Sequence, residues 1–201
     1  MSPFCIKAET YLRMAGLPFE SRFGDPRRGP HKKIPWIDDD GTIVADSQRI
    51  VQHCEAKYGG LDGELDQAAR ARGHALRRML EEGTYFCLVS LRWRSDEAWQ
   101  VYKPVLAAMA PPVVGALVLP LIRRQVLGQL WAQGTGRHRE EEVDAMANAD
   151  FASLASALGE RSFLFGDRPS SVDASAFAFL TALLAFPRSE ERRVGKECRS
   201  R

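Results

Sequence analysis

Hydrophobic positions recur with helical spacing at the very start of the chain, where Phe4, Ala8, Tyr11, Leu12 and Ala15 fall on one face. Ser2 suits the N-cap of that helix, Pro3 suits its first position, and Gly16 before Leu17-Pro18 ends it. The period then drops to two. Phe19-Glu20-Ser21-Arg22-Phe23 alternates as a half-buried strand should, and a basic Pro/Gly-rich loop follows from Gly24 to Lys33. Trp36-Ile37-Asp38 and Thr42-Ile43-Val44-Ala45 flank Asp40-Gly41, which predicts a hairpin. Asp46-Ser47 opens a helix that places Ile50, Val51, Cys54 and Tyr58 on one face and stops at Gly59-Gly60.

From about Asp66 every periodic segment is helical. Ala69, Gly73, Leu76, Leu80, Gly83 and Cys87 trace a stripe along a long helix, and Val143, Ala147, Asp150, Leu154 and Leu158 trace another that stops at Gly159. The last uses Val172, Ala176, Phe179, Leu180 and Leu183. Ser170-Ser171-Val172-Asp173 before it has the form of a capping box, with Ser170 reaching the Asp173 amide and Asp173 reaching back. The pattern predicts a small α/β domain over residues 1–61 and an all-helical domain over 66–187, with no internal repeat. Residues 188–201 break the apolar pattern and are set apart as a non-native-looking basic tail.

Residues 104–122 carry no charge and approach the length of a membrane helix, about 20 residues. Pro104, Pro111, Pro112 and Pro120 interrupt them, so the expectation is a buried, broken helical connection rather than a membrane span. The 45% hydrophobic and 27% charged content is that of a globular protein. The formal charge of +2 originates in the tail: six basic residues and three glutamates there give +3, leaving −1 for residues 1–187. Nothing in the body therefore calls for nucleic acid. Cys5, Cys54, Cys87 and Cys198 are scattered, without metal-ligand spacing, and no signal segment precedes the first helix. A cytoplasmic protein without a metal is expected.

Three short pieces carry candidate chemistry. Ser2-Pro3-Phe4-Cys5 puts a hydroxyl and a thiol on one turn at a helix N-terminus, where the dipole and free amides favour an anion. Ser2 can donate to a bound thiolate, or Cys5 can itself ionise as nucleophile; a serine that only caps and a cysteine that only packs fit the same residues. A cis bond at Ile34-Pro35 would turn the Ile34 backbone toward an extended peptide, whereas a trans bond would simply begin an edge strand. Asp46-Ser47 offers a hydroxyl and unpaired amides to a carboxylate, or is a plain cap. Lys33, with Arg27, Arg28 and His31, would form a cationic rim. His138 reads as a helix-end loop residue. Together the pieces suit a tripeptide thiol such as glutathione, which needs an activating group at sulfur, a backbone edge for its peptide and donors for its carboxylates.

The order S-P-F-C, I-P-W, D-S resembles the N-terminal half of glutathione transferases. SPFCIKAETYLRMAGLPFE and KIPWIDDDGTIVADS are similar to the failed axon connections family of transferase-like proteins, and FLFGDRPSSVDASAFAFL to its late C-terminal helix. The resemblance runs from Ser2 to about Leu184. It implies a thioredoxin-like N-terminal domain, here without its first strand, and a helical bundle after it; the chain reads as a fragment. It implies Ser2 and Cys5 as catalytic positions, Ser2 standing where omega-like and glutaredoxin-like relatives carry a nucleophilic Cys. Lys33, Ile34 and Pro35 become the peptide-backbone site, and Asp46 and Ser47 the γ-glutamyl site. The expected activity is conjugation of glutathione to an apolar electrophile in detoxification. Tyr85, Trp93 and Trp131 are candidates for the electrophile's wall, and a homodimer is allowed. The alternative is a non-catalytic binding or scaffolding protein of the same fold.

Overall fold

The computed structural model describes residues 2–108 and 112–185, without the side chains of Arg27 and of residues 112–117. Met1, Pro111, Cys198 and the basic tail lie outside the described residues. The chain divides into two compact units, among the described residues 2–81 with 150–182, and 82–149 with 183–185.

The first unit opens with α1 (Pro3–Met14) and continues through β1 (Trp36–Asp39), β2 (Thr42–Ala45) and α2 (Ser47–Tyr58). β1 and β2 pair antiparallel, Trp36 opposite Ala45 and Asp39 opposite Thr42, around Gly41 at φ 85°. The strand expected over residues 19–23 does not form. A strand exists only through its ladder, and none of the described residues pairs with this segment. Its alternation fails at the far end, where Phe23 is 84% exposed. Ala8, Tyr11 and Leu12 of α1 pack on Ile50, Val51 and Cys54 of α2, with Ile37 and Val44 of the hairpin against them. Full burial of side chains of this size contributes about 1.5–3 kcal/mol each.

Later parts of the chain complete this unit. α3 (Gln67–Arg78) starts at Asp66, whose carboxylate accepts from the Ala69 N–H, and runs into a π-helical turn at Met79–Thr84. α7 (Glu140–Leu158) ends at Gly159, φ 55°, and α8 (Ser171–Leu184) brings Ala174 into the core formed by α1 and α2. The α8 capping box forms with one change. Asp173 accepts from the Ser170 N–H and hydroxyl and from the Leu164 N–H, whereas the Asp173 N–H goes to the Ser170 carbonyl rather than to its hydroxyl. The Ser170 hydroxyl thus serves as a charge-assisted donor to the carboxylate rather than as the acceptor of the Asp173 N–H. Asp62, in the segment between α2 and α3, adds a second cap by accepting from the Ser171 N–H and hydroxyl.

The second unit contains α4 (Tyr85–Trp93), α5 (Asp96–Ala107) and α6 (Pro112–Gln133), with the first half of α7. Arg123 closes the end of α4 by donating to the Trp93 and Arg94 carbonyls at 2.9 Å each and to Asp96 at 2.8 Å. The expected buried connection over residues 104–122 is corrected. Pro104 and Pro120 lie inside helices, and Val105, Val118, Leu121 and Ile122 are exposed while Leu119 is buried. An apolar run wound into helices of this kind turns only one side inward. No helix among the described residues is long and apolar enough to cross a membrane.

Candidate functional site

The start of α1 carries the first piece. Ser2 takes extended N-cap dihedrals and its carbonyl accepts from the Cys5 and Ile6 N–H groups, but its hydroxyl makes no cap bond. The Ser2 side chain instead favours the ionised form of the Cys5 thiol. Burial of Cys5 outweighs this help, and Glu9 adds to it, so the thiol sits above its ordinary range. At this turn Ser2 is the available donor.

The second and third pieces meet through the backbone. Ile34-Pro35 is cis, and the Asp46 N–H donates to the Pro35 carbonyl at 3.2 Å, which seats the proline beside the start of α2. Among the described residues the Ile34 N–H and carbonyl make no backbone–backbone hydrogen bond. Asp46, at φ 79°, turns its carboxylate onto the Gln48 and Arg49 N–H groups at 2.8 and 3.3 Å. Ser47 is 3% exposed. Lys33, Arg28 and His31 are exposed on short 3₁₀ turns before the hairpin. Gly29 is buried there: a Cβ on it would run into the Lys33 carbonyl and the Trp36 ring.

A polar cluster that the sequence reading missed joins α1 to α2. Lys7, 0% exposed, donates from Nζ to Gln48 Oε1 at 2.7 Å and to Glu81 Oε1 at 2.5 Å. Glu81 also accepts from Arg77 at 3.0 Å and from the Ser175 hydroxyl at 3.4 Å. Burial pulls the Lys7 ammonium below its ordinary range, and Glu81 opposes the shift. A sequence signal existed, since Lys7 lies at i+3 from Phe4 and i−4 from Tyr11 on the apolar face. A second missed cluster lies on the hairpin side. Asp39 accepts from Tyr58 and Lys57 at 2.7 and 2.9 Å and pairs with His53 at 2.5 Å, and these partners hold its carboxyl well below the usual range.

Trp131 is 60% exposed beneath Arg137, Trp93 stacks on Trp99 at 5.3 Å, and Tyr85 meets the edge of Phe86. His138 ends a short 3₁₀ turn, and its carbonyl accepts from Arg94. In the first unit a cavity of about 430 Å³ is lined by Glu64, Asp66, Arg72, Arg161 and Phe165 among others. Ser2, Cys5, Pro35 and Ser47 do not line it. No group of metal-binding side chains is found among the described residues.

Comparison with known proteins puts this arrangement in context. The model for the glutathione S-transferase N-terminal domain matches residues 3–99, and that for the C-terminal domain matches residues 147–200. An isoprene-epoxide–glutathione S-transferase of Rhodococcus sp. is 34% identical over 188 residues, which are 90% of this chain and 79% of that protein. Failed axon connections of Drosophila melanogaster is 31% identical, over 91% of this chain and 46% of its own length. Human Metaxin-1 is 27% identical, over 87% and 40%. A delta-class glutathione transferase of Nilaparvata lugens superposes with a TM-score of 0.55 at 16% identity, over 90% of this chain and 73% of that one. A Gtt2-class enzyme of Vibrio parahaemolyticus gives 0.54 at 17%, over 92% and 79%. These likenesses fix the fold as a thioredoxin-like α/β part followed by a helical part. With both halves matched in order and a transferase at 34% identity, the chain belongs to the glutathione S-transferase family.

Proposed function

We propose that the protein binds glutathione through Lys33, Ile34, Pro35, Asp46 and Ser47 and conjugates it to an apolar electrophile, as a detoxifying enzyme of the cytoplasm. The observation that carries this reading is the 34% identity to a transferase whose name specifies glutathione and an epoxide. In this reading the Ser2 hydroxyl donates to the glutathione thiolate, and the positive end of α1 favours the charge. The sulfur attacks the electrophilic carbon, a C–S bond forms, the bond to the leaving oxygen breaks, and that oxygen takes a proton from water. The elevated Cys5 thiol argues against a covalent disulfide route through this chain.

The test is turnover of glutathione with a small epoxide. Ser2→Ala should lower the rate roughly 10²-fold, the usual scale for losing one donor to a developing or bound anion. Cys5→Ala should leave the rate within a few-fold. The reverse pattern would move the chemistry to Cys5 and make the protein a thiol–disulfide enzyme. A second reading, a non-catalytic binding protein, is favoured by the 31% identity to Failed axon connections. Calorimetric binding of glutathione without turnover of any electrophile would support that one.

A further inference from the structure

Between Ala98 and Arg139 the chain carries five basic residues, Lys103, Arg123, Arg124, Arg137 and Arg139, and no aspartate or glutamate. This stretch holds most of α5, all of α6 and the turn before α7. It also leaves large apolar side chains outside. Val105 on α5 is exposed, as are Val118, Leu121 and Ile122 on α6, Leu121 to 66%, with Trp131 further along the helix. At about 100° per residue, Leu121 points outward between Val118 and Arg124, and Trp131 falls within about 20° of Arg124. Leu119 and Leu130 lie on the opposite side and are buried. One face of α6 therefore presents an apolar ridge with a cation and an indole along its flank. Arg137 lies over the Trp131 ring at 5.5 Å, which adds a second guanidinium to that flank. Arg123 is committed to Asp96 and Arg139 to Glu142, whereas Arg124 makes no hydrogen bond or ion pair among the described residues.

We propose that this face of α6 docks on an anionic lipid surface, with Leu121 at the apolar contact and Arg124, Arg137 and Trp131 at headgroup level. The charge pattern selects this occupant. A second copy meeting the ridge across a two-fold axis would bring cation against cation, and no acid of the stretch stands ready to answer them. A bilayer instead supplies a continuous apolar layer beneath fixed negative charge, the arrangement that the helix face mirrors. An indole favours that boundary because its ring is apolar and its N–H polar. The attachment lies in the plane of the surface, since no helix among the described residues is long and apolar enough to cross. It shares no residue with the glutathione site proposed above and does not depend on it.

The experiment sediments the full chain with vesicles of phosphatidylcholine alone, or of phosphatidylcholine mixed equally with phosphatidylglycerol. The mixed vesicles should bind at least about tenfold more tightly, and most of that difference should vanish at about 0.5 M salt. Arg124→Gln should weaken binding to the mixed vesicles about fivefold at low salt and hardly at all at high salt, as the loss of one cation at a charged surface requires. Leu121→Ser should weaken it about tenfold at both, because an apolar contact is not screened. Both positions are exposed, and an unchanged Tm shows that each variant keeps the fold. Lipids brominated in their chains should quench the tryptophan fluorescence, and Trp131→Phe should remove most of that quenching. No binding to either vesicle would overturn the proposal. So would binding that survives Leu121→Ser or quenching that survives Trp131→Phe, which would move the contact to another basic part of the chain such as residues 188–201. A dimer lost in Leu121→Ser, without vesicle binding, would make the face a contact between copies and overturn it too. Glutathione turnover of Leu121→Ser and Arg124→Gln without vesicles, expected to match the unsubstituted protein, keeps the two readings separate.

Discussion

Replacing Asp173 with Ala should be among the most damaging single changes at a partly exposed position. Its carboxylate accepts three hydrogen bonds, from the Leu164 N–H at 2.9 Å, the Ser170 N–H at 2.8 Å and the Ser170 hydroxyl at 2.6 Å. Each bond to a charged acceptor contributes about 1.5–3 kcal/mol in isolation, but the three share one group and will not add. Two of the donors are backbone N–H groups left unpaired in the variant. A total of about 3–4 kcal/mol is therefore expected, a large part of the roughly 5–15 kcal/mol available to a domain. The damage spreads because α8 buries Val172, Ala174, Ala176, Phe179 and Ala182, and Asp173 sets where that helix begins. At about 2–4 °C per kcal/mol for a chain of this size, Tm should fall by roughly 6–16 °C. Ser170→Ala removes only the hydroxyl donor and should cost about 1 kcal/mol. Urea unfolding followed by far-ultraviolet circular dichroism measures both. An Asp173→Ala loss below about 1 kcal/mol, or equal losses in the two variants, would refute the account of the cap.

Two further expectations concern protonation. Asp39 is depressed in the folded protein by His53, Tyr58 and Lys57, so its contribution is complete above the unfolded carboxyl value, about 3.9, and is lost as pH falls through the lower folded value. The stability advantage of the unsubstituted protein over Asp39→Asn should hold at pH 6 and shrink steadily below about pH 4; a difference that stays constant to pH 3 would contradict it. Cys5 is raised by burial and eased by Ser2, so the pH midpoint of its alkylation, followed by mass spectrometry, should lie above about 8.5 and move higher in Ser2→Ala. A midpoint at or below the ordinary value would restore Cys5 as a nucleophile.

What could be read from the sequence follows from the range of the forces involved. α1, α2, α7 and α8 were legible because each depends on local periodicity and on caps within a few residues, such as Asp46 on Gln48 and Asp173 on Ser170. The hairpin was legible from Asp40-Gly41. The strand over residues 19–23 failed for the complementary reason. Alternation reports which face would be buried, whereas a ladder needs a partner, and a local pattern cannot say whether one is present. The helices over 104–122 failed similarly, since apolar composition does not tell which side a neighbour will cover.

The polar links were the least legible. Lys7 meets Glu81 across 74 positions, and Ser171 meets Asp62 across 109. No window of sequence contains both partners. One half of each link does leave a trace, a charged residue placed where the helical period demands an apolar one. Lys7 between Phe4 and Tyr11 is such a residue. Because a buried charge is retained only when it is paired, that misfit implies an unseen acceptor on another element. Here the implied acceptors, Glu81 and Gln48, tie the helix that carries Ser2 to the helix that carries Ser47. A charge on an apolar stripe is thus a long-range restraint written at one end only, and in this protein it runs between the sulfur and carboxylate ends of the proposed ligand site.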